Sequence, residues 1–493
     1  MDATSPRTLE TAPPGDTELR RVSIDPLSRV EGHGKITLLL DADDRVQQVR
    51  LHIVEFRGFE KFIQGRPYWE VPVMVQRLCG ICPVSHHLAA AKALDHVVGA
   101  ERLTPTAEKV RRLMHYGQIL QSHALHFFHL ASPDLLFGFA SDATRRNIVG
   151  IAAAYPEVAR QGVLLRRFGQ EIIRLTAGKR IHGTGAIPGG VNRALGDEER
   201  AALLAEIYTI IGWSRQSVHL VKRLHTADPE LYDGFGTTPS NLLSLVGAGG
   251  ALDFYDGRLR ARDAGGKLLV DGCAVRNYPE LIGEEVKPWS YMKFPFLAAL
   301  GPERGWYKVG PLARVQNCDS IATPLAEAER REFVDHGQGR PIHAPLAYHW
   351  ARMIEMLHAA EAIKNLLHDD ELSGSELLTA GPRHHEGIGV IEAPRGTLIH
   401  HYQVDDDDLV TMCNLIVSTT HNNQPMNEAI REVARRHLDG RRLGEGLLNH
   451  IEVAIRAFDP CLSCATHALG RMPLEVELVD CLGQRIAQLR SSG

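Results

Sequence analysis

Arg77-Leu78-Cys79-Gly80-Ile81-Cys82-Pro83-Val84-Ser85-His86-His87 sets two thiols on a tight turn, with a proline straight after the second and a histidine four residues beyond it. Near the other end of the chain, Asp459-Pro460-Cys461-Leu462-Ser463-Cys464-Ala465-Thr466-His467 is again a C-x-x-C pair followed shortly by histidine. Two such pairs supply four thiolates to a soft, sulfur-loving metal, and one site using both requires a fold that brings the chain's distant ends together. Spacing alone leaves a structural zinc knot open. Such a knot has no need of a carboxylate, a histidine and an arginine distributed around it.

Outward from these pairs, the chain is ordinary in composition. Its 493 residues exceed one average domain, yet no Gly/Ser- or Pro-rich linker divides them, so one large core or two fused ones is expected. Hydrophobic residues at 44% and charged residues at 23% exclude disorder and collagen-like repeats. A formal charge of −5, from 55 basic and 60 acidic side chains, gives no electrostatic reason to expect nucleic acid or an anionic membrane. No apolar run approaches the ~18 to 20 residues of a membrane span. The segment from Met1 to Arg21 is polar, carries Pro13 and Pro14, and lacks the apolar core of a signal peptide. Eight cysteines are too sparse for a disulfide scaffold of this size.

Periodicity gives an architecture. Lys35 to Leu40 and Val46 to Val54 read as an antiparallel hairpin around the acidic turn Asp41-Ala42-Asp43-Asp44. Thr104-Pro105 starts a helix running toward the 130s with Val110, Leu113, Met114, Gly117, Leu120 and Ala124 on one face. Val158 to Thr176 repeats the pattern and stops at Gly178, Asp197 starts a third helix, and Leu346 to His368 forms a fourth. The fold expected is mainly α (α+β): a long-helix bundle core, an N-terminal antiparallel hairpin, and a mixed loop-and-strand insertion between Phe254 and Pro311.

Further motifs join the cysteine pairs: Asp25-Pro26-Leu27-Ser28-Arg29-Val30-Glu31-Gly32-His33, Arg57-Gly58-Phe59-Glu60, Ile181 through Gly190, Gly310-Pro311-Leu312-Ala313-Arg314, and Glu392-Ala393-Pro394-Arg395-Gly396. In this order, and over nearly the whole chain, they resemble the large, catalytic subunit of nickel-iron hydrogenases. The resemblance implies that Cys79 and Cys461 are terminal nickel ligands, and that Cys82 and Cys464 bridge nickel to an iron carrying carbon monoxide and cyanide. Soft thiolates suit that role, and a terminal one can accept a proton when dihydrogen splits heterolytically. Glu31 matches the carboxylate that relays this proton, with a salt bridge to Arg29 as the alternative. Arg395 matches the guanidinium above the metals, where it can hydrogen-bond a cyanide and polarise dihydrogen, and Thr419 the hydroxyl serving the other cyanide; His421 departs from the commoner pattern there. Glu60, His467 and a backbone carbonyl near Leu415 match magnesium ligands, which magnesium supplements with water. Asp134 and Asp459 resemble carboxylates orienting Arg395, and His86 a hydrogen-bond donor to a bridging sulfur.

Other features read more plainly. Asp405 to Asp408 is a solvated loop, and His123, His126 and His129 are packed helix residues. Cys273, Cys318 and Cys413 are isolated thiols, so no set remains for an iron-sulfur cluster. By resemblance, electrons leave through a small subunit with at least one [4Fe-4S] cluster. The Cys413 to Asn422 segment, the aspartate run and the helix near Leu346 look most like the cytoplasmic, NAD-reducing branch, in which diaphorase subunits carry flavin (FMN) and bind NAD. This chain has no dinucleotide fingerprint after a strand. Residues 1-467 are expected to form a single domain, and residues 468-493 match an extension cut off by a maturation endopeptidase after nickel-insertion factors have loaded the site. A hydrogen sensor or a hydrogenase with another acceptor shares the fold, and a zinc-stabilised scaffold is the non-enzymatic alternative.

Overall fold

The computed structural model describes residues 20–287, 289–441 and 443–466 and the strands Glu475–Val479 and Arg485–Arg490. Four long helices form the bundle: Pro105–Leu125, Pro156–Ala177, Asp197–Ala227 and Ala347–Leu367. The first starts where the sequence says it should, since Thr104 accepts a hydrogen bond from the Ala107 amide at 3.2 Å and Pro105 needs no amide partner. Ala347–Leu367 is the central helix. Its side chains are buried on almost every face, including the polar His349, Arg352, Glu355, His358 and Glu361, so its sequence shows no single apolar stripe. The Pro105 helix reaches the 130s through a change of pitch, a π-helical turn over His126–Ala131 followed by Ser132–Phe137.

The expected N-terminal hairpin is present as Gly34–Leu40 and Val46–Ile53, and Arg20–Ile24 adds a third strand beside the first. The mixed region begins earlier than expected. Asn241–Val246 pairs with Arg258–Arg262, that strand pairs with Leu268–Cys273, and Tyr307–Lys308 lies parallel to the first. A second sheet, unforeseen from periodicity, runs antiparallel through Glu386–Ala393, Gly396–Val404 and Val410–Ile416. Its strands are nearly all buried, so they show no alternation to read. This sheet packs against the helix Pro83–Val97 that follows the first cysteine pair. Helices Asn423–His437 and Glu445–Ala457 then lead the chain back to the second pair. Among the described residues, no helix is long and apolar enough to cross a membrane.

Candidate metal centre

The first cysteine pair is held by backbone. Cys82 caps the helix Pro83–Val97, and the amides of Ile81 and Cys82 both point at Cys79 Sγ, each at 3.2 Å. The positive end of that helix lies beside the sulfurs and favours the thiolate form. His182 braces the turn from outside, its Nε2 3.1 Å from the Cys79 carbonyl and its Nδ1 2.6 Å from Arg77.

The second pair is held by side chains from distant segments. Glu31 and Cys461 form an isolated parallel bridge, in which the Leu462 amide donates to the Glu31 carbonyl at 2.9 Å. Gly32, at φ 82°, permits this approach, because a Cβ there would lie 2.6 Å from the Ser463 nitrogen. The Cys461 thiol donates to Glu31 Oε2 at 3.0 Å, and Ser463 Oγ donates to Glu31 Oε1. Thr419 Oγ1 accepts from the Cys461 amide at 2.9 Å.

The fold thus joins the two pairs into one buried group whose sulfurs all lie within 4.8 Å of one another. Cys79 and Cys461 are 3.2 Å apart, Cys461 and Cys464 2.8 Å, and Cys82 is 3.9 Å from both Cys461 and Cys464. Sulfurs bound ~2.3 Å from one metal lie roughly 3.3 to 3.8 Å apart, so the cluster is close to ligand spacing without rearrangement. Burial pushes the thiols of Cys461 and Cys464 well above their ordinary range. At Cys79 burial pushes upward too, but hydrogen bonds from the other thiols and the charge of Arg395 outweigh it and hold the group well below that range.

Arg395 occupies the turn between Glu386–Ala393 and Gly396–Val404. Its Nε donates to the Asp459 carbonyl at 2.6 Å and its Nη2 to the Asp459 carboxylate at 3.1 Å. Burial raises Asp459 to about 6 even beside this guanidinium. The turn is fixed from beneath by Arg314, which is fully buried between Glu355 at 2.6 Å and Glu392 at 3.0 Å and donates to the carbonyls of Ala393 and Pro394. Gly310, at φ 89°, passes so close that a Cβ would sit 2.7 Å from the Arg395 carbonyl oxygen. The two motifs around residues 310 and 392 are therefore a cradle for Arg395.

Cys82, Cys461, Ser85, His86, Arg395 and Thr419 border a small cavity. Arg395 Nη1 and Ser85 Oγ are buried there without a hydrogen-bond partner. Unsatisfied buried donors cost about 1 to 3 kcal/mol each, and a closed tetrathiolate knot leaves both orphaned. A metal that carries small acceptor ligands into the cavity satisfies them, so the donor set fits a nickel-iron centre of the kind the motifs imply. Ser85 was missed in the sequence; its place one turn after the capping Cys82 was the available signal.

One expectation needs correction. Asp134 does not orient Arg395: it pairs with Arg456, with Arg29 at 2.5 Å and with Arg146 at 3.4 Å, because Ser132–Phe137 packs toward the Glu445–Ala457 helix. Arg29 is thereby committed to Asp134 rather than Glu31. His86, expected to donate to a bridging sulfur, borders the cavity with Cys82, its Nδ1 3.1 Å from a ring nitrogen of His400, and burial drops it to about 4. Glu60 is buried, raised above the carboxylate range by that burial, and accepts from the Leu415 amide at 2.9 Å with Lys293 at 3.5 Å. His467 lies outside the described residues. The aspartate run forms the turn between Gly396–Val404 and Val410–Ile416, where Asp405 accepts from the Asp407 and Leu409 amides. His123 and His126 are core residues, bonded through Nε2 to Glu355 and to the Arg456 carbonyl.

Comparison with known proteins agrees with this geometry. The family described as nickel-dependent hydrogenase matches residues 57–141 and 264–467, and one described as HoxL-like matches 21–56. The chain is 46% identical over 482 residues to the NAD-reducing hydrogenase HoxS subunit beta of Cupriavidus necator, covering 95% of this chain and 99% of that one. It is 38% identical over 475 residues to one subunit of the F420-non-reducing hydrogenase vhc of Methanococcus voltae, covering 95% and 99%. The crystal structure of an NAD+-reducing [NiFe]-hydrogenase in the H2-reduced state superposes with a TM-score of 0.90 at 61% identity, over 91% of this chain and 99% of that one. With its four thiols gathered at one buried point and its sequence matched along nearly its whole length, the chain belongs to the nickel-dependent hydrogenase family.

Proposed function

We propose that this chain is the catalytic subunit of an NAD-reducing [NiFe] hydrogenase, with Cys79 and Cys461 as terminal nickel ligands and Cys82 and Cys464 bridging to an iron that carries carbon monoxide and cyanide. When bound, the metal pair supplies the centre at which dihydrogen is split into protons and electrons. The observation that carries the reading is Glu31 Oε2 at 3.0 Å from Cys461 Sγ, a carboxylate in direct reach of one thiol of a four-thiol cluster. Glu31 takes the proton from that sulfur, and Ser463 holds the carboxylate in position. Arg395 and Ser85 border the cavity beside Cys82 with unpartnered donors, which would serve small acceptor ligands on a bound iron. Thr419 fixes the Cys461 backbone and leaves its own hydroxyl proton free to serve the same ligands.

Glu60, the Leu415 carbonyl and His467 are proposed to hold magnesium. The described cysteines outside the cluster, Cys273, Cys318 and Cys413, are scattered, so electrons are assigned to a small subunit with a [4Fe-4S] cluster and from it to diaphorase subunits carrying FMN, which reduce NAD. The similarity to one component of an NAD-reducing enzyme supports that acceptor. A cytoplasmic location, a single domain over residues 1-467, and maturation by nickel-insertion factors and an endopeptidase that removes residues 468-493 complete the proposal. Infrared spectroscopy of the purified complex, with nickel and iron quantified, tests it. Bands of metal-bound carbon monoxide and cyanide with one nickel and one iron are expected; zinc at the cysteines without such bands overturns the reading.

A further inference from the structure

Far along the chain from any cysteine motif, three side chains converge at the edge of the bundle. His225 lies in the last turn of Asp197–Ala227, Asp233 in the short helix Pro229–Gly234, and His336 closes the helix Pro324–His336. His225 Nε2 is 2.7 Å from Asp233 Oδ1, and His336 Nε2 is 3.0 Å and 3.2 Å from the two oxygens of the same carboxylate. The three candidate ligand atoms lie within 4.8 Å of one another.

We infer that His225, Asp233 and His336 form a second metal site, taking one zinc ion or a similar divalent ion that prefers nitrogen and oxygen ligands. Two imidazoles and a carboxylate are a common three-ligand set for such ions, with water completing the shell. The geometry is already close: ligand atoms ~2.0 to 2.1 Å from a tetrahedral ion stand roughly 3.3 Å apart. Two long helices both end here, and their negative dipole ends favour a cation. The rings are held in place by Trp350 of the central bundle helix, whose ring centroid is 5.4 Å from that of His225 and 5.6 Å from that of His336. Asp228 accepts from the Leu231 amide and so fixes the short helix that presents Asp233.

The site is open on one side only. The His225 side chain is 1% exposed, His336 28% and Asp233 45%, which leaves a face for ion entry and a bound water. Protonation states suit it as well. Burial lowers His225 below the usual imidazole range. Burial pushes the Asp233 carboxyl upward, but hydrogen bonds from His336 and His225 outweigh it and lower the group. His225 Nδ1 is buried without a partner, so the supporting hydrogen bond typical of tight zinc histidines is missing, and the affinity sits below that of closed structural zinc sites. Bound there, the ion pins the end of Asp197–Ala227 to the end of Pro324–His336.

The test uses the purified complex with a tag free of histidine, dialysed against a weak chelator and titrated with zinc sulfate by calorimetry, while nickel and iron are counted separately. Wild type is expected to bind one zinc more than either His336→Gln or Asp233→Asn, or to bind it more than about tenfold more tightly. Zinc should raise the thermal midpoint of wild type and leave both variants unmoved. Both positions are at least partly exposed and outside the hydrogenase machinery, so wild-type hydrogen turnover verifies that the variants are folded. Failure of wild type to take up the extra zinc, or equal binding by wild type and both variants, overturns the site.

Discussion

The two cysteine pairs share a sequence form but are supported in different ways. Cys79 and Cys82 sit on a helix start, and the amides that meet Cys79 Sγ come from the next three residues. Cys461 and Cys464 have no comparable local frame. Their loop is set by Glu31, more than four hundred positions away in the chain, by Thr419, and by Asp459, which ties it to Arg395. The first pair, held by its own amides and by the neutral side-chain amides of Gln118 and Gln121 at the Ile81 carbonyl, is a mount. A side-chain-held pair can exchange protons with its supports, so the chemistry belongs on that side.

The largest expected effect tests the pair that reacts. Cys461→Ser should abolish hydrogen turnover, because a hard oxygen is a poor substitute for thiolate on a soft metal; near-normal activity with full nickel and iron content would remove Cys461 from the ligand set. Glu31→Gln comes next. It keeps the size and most of the hydrogen-bonding capacity of the side chain but loses the titrating proton, so metals should assemble while turnover and isotope exchange between dihydrogen and water fall by ~10² to 10⁴. Exchange at the wild-type rate would show that the proton leaves by another route and that the asymmetry between the pairs is only structural.

The same asymmetry governs what the sequence revealed. The cysteine pairs and the bundle helices were legible because local patterns encode them: the C-x-x-C spacing, the Thr104-Pro105 start, the stop at Gly178; Glu31 was singled out by family likeness alone. Arg314, Glu355 and Glu392 were not, since a buried ion network leaves no spacing to read and only the fold shows that it supports Arg395. The sheet from Glu386 to Ile416 was hidden for a related reason, its strands being buried on both faces. Asp134 was misassigned because family likeness places it in the right neighbourhood but cannot say which of several arginines it meets.

Acid should loosen the backbone-held side. His87, five residues beyond Cys82, is buried and depressed to about 4; its Nδ1 faces the Pro72 carbonyl and its Nε2 accepts from the Ala186 amide at 2.9 Å. The unfolded imidazole takes its proton near pH 6.5 and the folded one only near 4. This contribution to stability is therefore complete above about 6.5 and lost progressively as pH falls toward 4, by on the order of 3 kcal/mol. Hydrogen exchange at Ala186 between pH 7 and pH 4.5 should report it, after correction for the intrinsic exchange rate; protection that stays flat would mean His87 is not held neutral. Thr419→Val removes the acceptor of the Cys461 amide and leaves a buried donor unmet, a cost near 1 to 1.5 kcal/mol, so turnover should drop about tenfold with cysteine ligation intact.

The smallest effect is the most discriminating. His182 is one of three side-chain braces on the first pair: its Nε2 lies 3.1 Å from the Cys79 carbonyl, while Gln118 and Gln121 donate to the Ile81 carbonyl at 3.0 Å and 2.7 Å. If backbone geometry holds that pair, the brace is redundant: Pro83 in the first helical turn, the helix start and the two amides on Cys79 Sγ all remain when it is removed. His182→Gln retains an N–H donor, loses the ring, and should change turnover less than about threefold, within the few tenths of a kcal/mol expected at a partly exposed site. Infrared band positions should be unmoved. A loss as large as that of Thr419→Val would mean that the first pair also depends on a titratable side chain, and the division between mount and reacting side would fail at its simplest point.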